Sequence, residues 1–169
     1  MSIFDTATML LRYKAWANDI AFSSLVNLPD REFYKERKTN FKNIVSTLNH
    51  VYVVDDIFKA HLNGEHHGYT SRNTDKCPKL NELWSKQVKM DSWYLDYIAG
   101  SSEDQLEKII NFEYVGGGQG DMSVNEIILH IVNHGSYHRG FVSDMMYQIP
   151  SVPSANDLTV YLRDVHRKN

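Results

Sequence analysis

The stretch SVNEIILHIVNHGSYHRGFVSDMMYQ, residues 123–148, decides the fold. Ser123 and Glu126 form a capping box, in which a hydroxyl and a carboxylate satisfy backbone N–H groups at a helix start. From there Ile127, Ile131, His134, His138, Phe141, Val142 and Met145 fall within about 80–100° of one another at the helical period. The segment therefore predicts a long amphipathic helix that ends near Gln148, ahead of Pro150 and Pro153. His134 and His138 lie inside its apolar stripe, one turn apart on one face, so their imidazoles can converge on a single ion. Each could instead be a core histidine bonded to a nearby polar group. Two adjacent imidazoles in an apolar stripe, however, would leave ring nitrogens unsatisfied at about 1–3 kcal/mol each, and a shared cation removes that cost.

Upstream, three more segments show helical periodicity. About Phe4 to Leu28 places Phe4, Leu11, Ala15, Phe22 and Val26 in one arc and stops at Pro29-Asp30. About Phe41 to Leu62 turns Ile44, Leu48, Val51, Val54 and Phe58 inward and ends before Asn63-Gly64. After a polar linker from Glu65 to Cys77, Pro78 opens a third helix with Leu80, Leu83, Trp84, Val88, Leu95 and Ile98, closed by Gly100. Lys108 to Val115 is β-prone and reads as a short extended segment. The glycines at 116, 117, 118 and 120 then suit a flexible connector, because they lack the Lys-Ser/Thr of a phosphate loop. Ser154 to Asp157 caps a short last helix through Leu158, Val160, Tyr161 and Leu162. Long helices with apolar stripes must bury them against one another, which predicts an all-α four-helix bundle in a single domain over 1–169. The long connections leave room for crossovers instead of a simple up-and-down order.

Composition narrows function. The chain has 169 residues, 42% of them hydrophobic and 23% charged, and no apolar run approaches the roughly 20 residues of a membrane span. No secretory signal is evident, so a cytoplasmic location is expected. Cys77 is the only cysteine, which excludes an internal disulfide and thiolate-rich zinc sites. A net charge of −3 argues against a nucleic-acid binder. Lys35, Arg37, Lys38 and Lys42 alternate with acidic and amide residues, the pattern of a solvated surface. Trp16, Trp84 and Trp93 sit where aromatic packing is expected.

A third ligand should come from a facing helix, and His50, in one helical row with Val54, Ile57 and His61, is the best-placed candidate. His130, one turn before His134, is left outside the ligand set. A drift of about 40° per four residues makes one helix a poor source of three ligands. His61, His66 and His67 fall at or beyond a helix end and read as solvated loop residues. Asp55 either orients a group near the pocket or is a packing carboxylate; Arg139 is a candidate partner for a carboxylate across the bundle, and Asn18 for a helix neighbour.

Tyr13 to Asn18, Thr47 to His50 and His130 to Gly140 resemble the corresponding segments of the DinB-like (YfiT-like) metal-binding bundles. The resemblance implies an up-down-down-up bundle, commonly a homodimer. It also implies zinc or nickel at an open three-histidine site, which carries over to His50, His134 and His138. Two functions from different classes follow. One is a metal-dependent enzyme, a thiol-dependent S-transferase or a hydrolase, acting on a small-molecule thiol or electrophile. The other is a non-catalytic metal-binding protein of stress or damage response. A zincin-type hydrolase is disfavoured because Gly135 stands where His-Glu-x-x-His has its glutamate.

Overall fold

A computed structural model describes residues 2–168. In chain order it comprises α1 (Ile3–Leu25), α2 (Asp30–Tyr34), α3 (Ile44–Asn63), α4 (Leu80–Ala99), α5 (Glu103–Glu107), an antiparallel hairpin of β1 (Ile109–Glu113) and β2 (Gln119–Ser123), α6 (Val124–Tyr147) and α7 (Leu158–Tyr161). One wider, π-type turn over Leu162–His166 follows α7. Capping explains several boundaries. Ser2 with Asp5 and Ser123 with Glu126 make reciprocal capping boxes for α1 and α6. The Asn43 side chain accepts from Ser46 N–H at the start of α3, and Gly64 ends that helix at φ 69°. Asp157 precedes α7 without a side-chain cap bond.

Contacts between the long helices set their directions. Lys14 meets Asp91 and Phe22 meets Trp84, so α1 and α4 run antiparallel. Lys86 lies over Tyr52 and Lys59 over Trp93, so α3 and α4 are parallel. His50 meets His134 and Phe58 meets His130, so α3 and α6 are antiparallel. Tyr13 reaches Ser136 and Asn18 reaches Arg139, so α1 and α6 are parallel. The bundle is thus up-down-down-up, with the hairpin and the two short helices filling the long connections. No helix of the described chain is long and apolar enough to cross a membrane.

The inner faces differ in detail from the apolar pattern. On α1 the buried row includes Ala7, Leu11, Lys14, Asn18, Ala21 and Leu25, while Val26 is exposed. On α4, Gln87 and Asp91 are buried and Val88 is exposed. On α6, Phe141 sits at the stripe's edge, 37% exposed. Polar side chains hold inner positions because they satisfy one another. Lys14 Nζ lies 2.7 Å from both Asp55 Oδ2 and Asp91 Oδ1. Gln87 Nε2 donates to both carboxylates, and Asn18 Nδ2 donates to Asp91. Asn18 Oδ1 accepts from Arg139 Nη1 at 2.8 Å, and Arg139 Nη2 donates to Ser136 Oγ at 3.0 Å and Tyr13 OH at 3.3 Å. Arg139 therefore reaches the carboxylates through Asn18 instead of pairing with one directly.

Gly135 makes room for this network: a Cβ there would lie 3.1 Å from Arg139 Nη1. Two apolar clusters flank it. One includes Ile127, Ile128, Ile131, Met90 and Tyr94; the other includes Phe22, Leu25, Ile44, Val45, Leu83 and Met145. The glycine run expected as a flexible connector instead makes the turn of the hairpin, where Gly116, Gly117 and Gly118 take φ values of 97°, 99° and 97° that L residues rarely adopt. The basic stretch is not wholly solvated either, because Arg37 is paired with Glu32 at 2.7 Å with its side chain only 4% exposed.

Candidate metal centre

His50 projects from the middle of α3, and His134 and His138 from adjacent turns of α6. The three offer ligand atoms that all lie within 4.8 Å of one another. His50 Nε2 and His134 Nε2 are 3.0 Å apart. Two ligands of one tetrahedral ion, each about 2.0–2.1 Å from it, would be separated by ~3.3 Å, so the spacing is within a few tenths of an ångström of what an ion needs.

Tautomer and protonation also suit a cation. His50 Nδ1 lies 2.6 Å from the Arg72 carbonyl, which can only accept, so Nδ1 carries the proton and Nε2 presents its lone pair. Burial, reinforced by the neighbouring His138, His50, His130 and Lys14, pushes His134 down to about 2 from the usual 6.5. Burial and His50 push His138 down to about 4. Burial also lowers His50, outweighing the opposing effect of the Arg72 carbonyl. All three rings are therefore neutral near pH 7. Nδ1 of His134 and of His138 are buried without a hydrogen-bond partner.

Residues invisible to spacing arguments hold the trio. The loop after α3 is pinned to that helix: Asn49 Nδ2 donates to Asn73 Oδ1 and to Thr74 Oγ1, and Asn73 Nδ2 donates to the Ser46 carbonyl. These bonds bring Arg72 to His50. Before α3, Lys42 takes φ 65°, in the left-handed region, and Phe41 stacks on His50 with centroids 4.2 Å apart while touching His138 edge-on. Tyr137 packs edge-on against His138 from outside. His130 stacks on His134 at 5.6 Å and meets Phe58 at a tilt with centroids 4.9 Å apart, outside the trio. Asp55 is bound to Lys14 and Gln87, so it acts as a packing carboxylate of the central network.

A cavity of about 230 Å³ opens beside the trio between α3, α6 and the hairpin. His50 and His134 line one end. Val54, Ile57, Phe58, Phe112 and Met122 line the middle, and His61, Glu113 and Tyr114 the other end. His66 and His67 lie in the loop beyond, as the sequence suggests, where their Nδ1 atoms accept from Gly68 and Tyr69 N–H groups.

Comparison with known proteins agrees with this architecture. The family model described as the DinB family matches residues 1–167. The protein named DinB from Bacillus subtilis (strain 168) is 26% identical to the chain over 164 residues, which span 94% of each. An up-down-down-up bundle with a histidine from α3 facing a His-x-x-x-His pair on α6, matched over nearly its whole length, identifies this chain as a member of the DinB family.

Proposed function

We propose that His50, His134 and His138 bind one divalent transition-metal ion, zinc or nickel, and that the protein is a thiol-dependent transferase acting on a small molecule in the adjoining cavity. The observation that carries this reading is the His50 Nδ1 contact to the Arg72 carbonyl, which aims a neutral Nε2 at His134. Three neutral imidazoles leave a coordination position open. A divalent ion there supplies Lewis acidity, lowering the pKa of a thiol so that its sulfur is nucleophilic at neutral pH. In the transfer, sulfur bonds to an electrophilic carbon, the leaving group departs with its electron pair, and the thiol proton passes to solvent.

Transfer is favoured over hydrolysis because the carboxylate nearest in sequence to His50 on the inner face of α3, Asp55, is committed to Lys14 and Gln87. It is not available to take a proton from water. The residues of the cavity wall have simpler tasks: Val54, Ile57, Phe58 and Phe112 exclude water, and Phe41 shields the rings of His50 and His138.

Elemental analysis of untagged protein should find close to one divalent ion per chain, lost in His50→Ala and in His134→Ala. Retention of the ion by both variants would refute the site. Metal-dependent conjugation of a thiol to an electrophile, absent in His138→Ala, would support the transferase, whereas metal binding without turnover over a panel of thiols and electrophiles would favour a non-catalytic metal-binding protein. We further propose a homodimer, which equilibrium sedimentation tests directly.

A further inference from the structure

The cavity beside the trio continues into a second, more open one of about 410 Å³, and His61, Glu113, Tyr114 and Val115 line both. Together they make one trough along α3. From His50 to His61 is eleven residues, about 16 Å at ~1.5 Å per residue. The trough changes character along its length. Arg72 stands at the end with His50 and His134, and its side chain has no ion pair among the described residues. The middle is apolar. The outer vestibule holds Glu65 and Glu113, both exposed, with His61, His66, His67 and Tyr69, and no lysine or arginine lines it. Nδ1 of His66 and of His67 accept backbone N–H groups, so neither nitrogen is turned toward the two carboxylates as a donor.

We propose that this trough selects an elongated molecule with an electron-pair donor at the histidine trio, an apolar body of several carbons along Val54, Ile57 and Phe58, and a protonated amine in the vestibule beside Glu65 and Glu113. The charge order argues for that orientation: a cation at Arg72 suits a donor head that is anionic or becomes so, and two carboxylates suit a cationic tail. A cavity of 150 Å³ accommodates benzene, so about 230 Å³ admits a body somewhat longer than one ring. Only the head of this ligand rests on the metal reading; body and tail rest on the trough itself.

Binding calorimetry of the metal-loaded protein, under a phosphine reductant that keeps Cys77 and the probes as thiols, compares aminooctanethiol, octanethiol and sulfanyloctanoate. The amine should bind about tenfold tighter than the carboxylate, with octanethiol between them. Glu65→Gln/Glu113→Gln should bring the three to within about twofold. Both positions are exposed, so the fold is not at risk. Aminoethanethiol has the same two ends but a body too short to join them and should bind at least about tenfold more weakly than aminooctanethiol. Equal or tighter binding of the carboxylate, an amine preference that persists in the double variant, or equal binding of the short amine would each overturn the proposal. Chelator-stripped protein separates the two readings: a tail ranking that survives while all affinities fall supports both. A ranking and affinities unchanged by stripping support the trough and refute the metal's part in it.

Discussion

Replacing Lys14 with methionine tests whether the central polar network is held together by charge. Met keeps most of the side chain's volume and removes only the ammonium group that touches Asp55 and Asp91, each at 2.7 Å. Lys14 and Asp55 are 1% and 0% exposed, so water cannot replace the lost contact. Asp91 retains Asn18 and Gln87, but Asp55 is left with Gln87 alone, and its Oδ1 already has no partner. Breaking a buried pair by removing one member costs about 3–5 kcal/mol. For a chain of this length that corresponds to a fall in Tm of roughly 6–20 °C.

Burial already raises the Asp55 pKa, and Lys14 opposes that shift. Without Lys14 the carboxyl should rise further. A carboxyl with a folded pKa above its unfolded value contributes stability below the unfolded pKa and loses it as pH rises through the folded one. The variant's deficit should therefore be largest near neutrality and shrink as pH falls toward about 4. Urea unfolding followed by circular dichroism, with chelator present so that bound metal cannot mask the change, measures this directly. Lys14→Met/Asp55→Asn/Asp91→Asn should recover at least half of the loss, since removing all the charges removes the unpaired ones. A single variant within about 1 kcal/mol of wild type across this pH range would refute the reasoning.

The histidines make a second pH prediction. His134 and His138 fold with pKa values of about 2 and about 4, below the usual 6.5. Their stability contribution is thus present above about pH 6.5 and lost as pH falls toward the folded values, so metal-free protein should destabilise on acidification. His134→Phe should flatten that acid limb in unfolding titrations, and an unchanged limb would contradict the neutral-ring account. Lys42→Val should cost about 1–2 kcal/mol because a β-branched residue tolerates φ 65° poorly. Lys42→Gly should be neutral or stabilise by up to about 1 kcal/mol; equal effects of the two in a denaturant series would exclude backbone strain there. Gly120→Ala places a Cβ within 2.9 Å of the Phe112 and Tyr114 rings. Phe112 is buried against Phe58 and His61, so about 1–3 kcal/mol should be lost, and a melting curve like wild type would show that the hairpin yields freely.

The bundle was legible because its boundaries are written in local chemistry: the capping box at Ser123, the glycine at 64, and the apolar rows of α3 and α6. The two histidines on α6 were legible for the same reason, their spacing being a property of one helix. His50 was placeable only as a candidate, since pairing α3 with α6 joins residues 84 positions apart. What hydropathy misses is the interior polar row. Lys14, Asn18, Gln87 and Asp91 look like surface residues when taken singly, and only their simultaneous pairing across four helices makes burial tolerable. Val26 and Val88 were expected inward because the residues that displaced them are polar. The second strand, α2 and α5 were missed because each is five residues long, too short for periodicity to register.

The network and the histidine trio are linked by the helices they share. Lys14 and Asn18 sit on α1, Asp55 on α3, Gln87 and Asp91 on α4, and Arg139 on α6, so one set of bonds fixes the relative height and rotation of all four. Asp55 lies five residues from His50 on α3, and Arg139 directly follows His138 on α6. A one-residue slip of α3 against α6 would turn His50 by about 100° and move it about 1.5 Å along the axis, carrying Nε2 away from His134. The same slip would pull Asp55 off Lys14. An apolar core of equal volume could stabilise the bundle as well or better, but it would accept neighbouring registers that the charge contacts reject. The buried ions therefore serve the site through registry: a slip that parts the histidines also breaks the contact of Lys14 with Asp55.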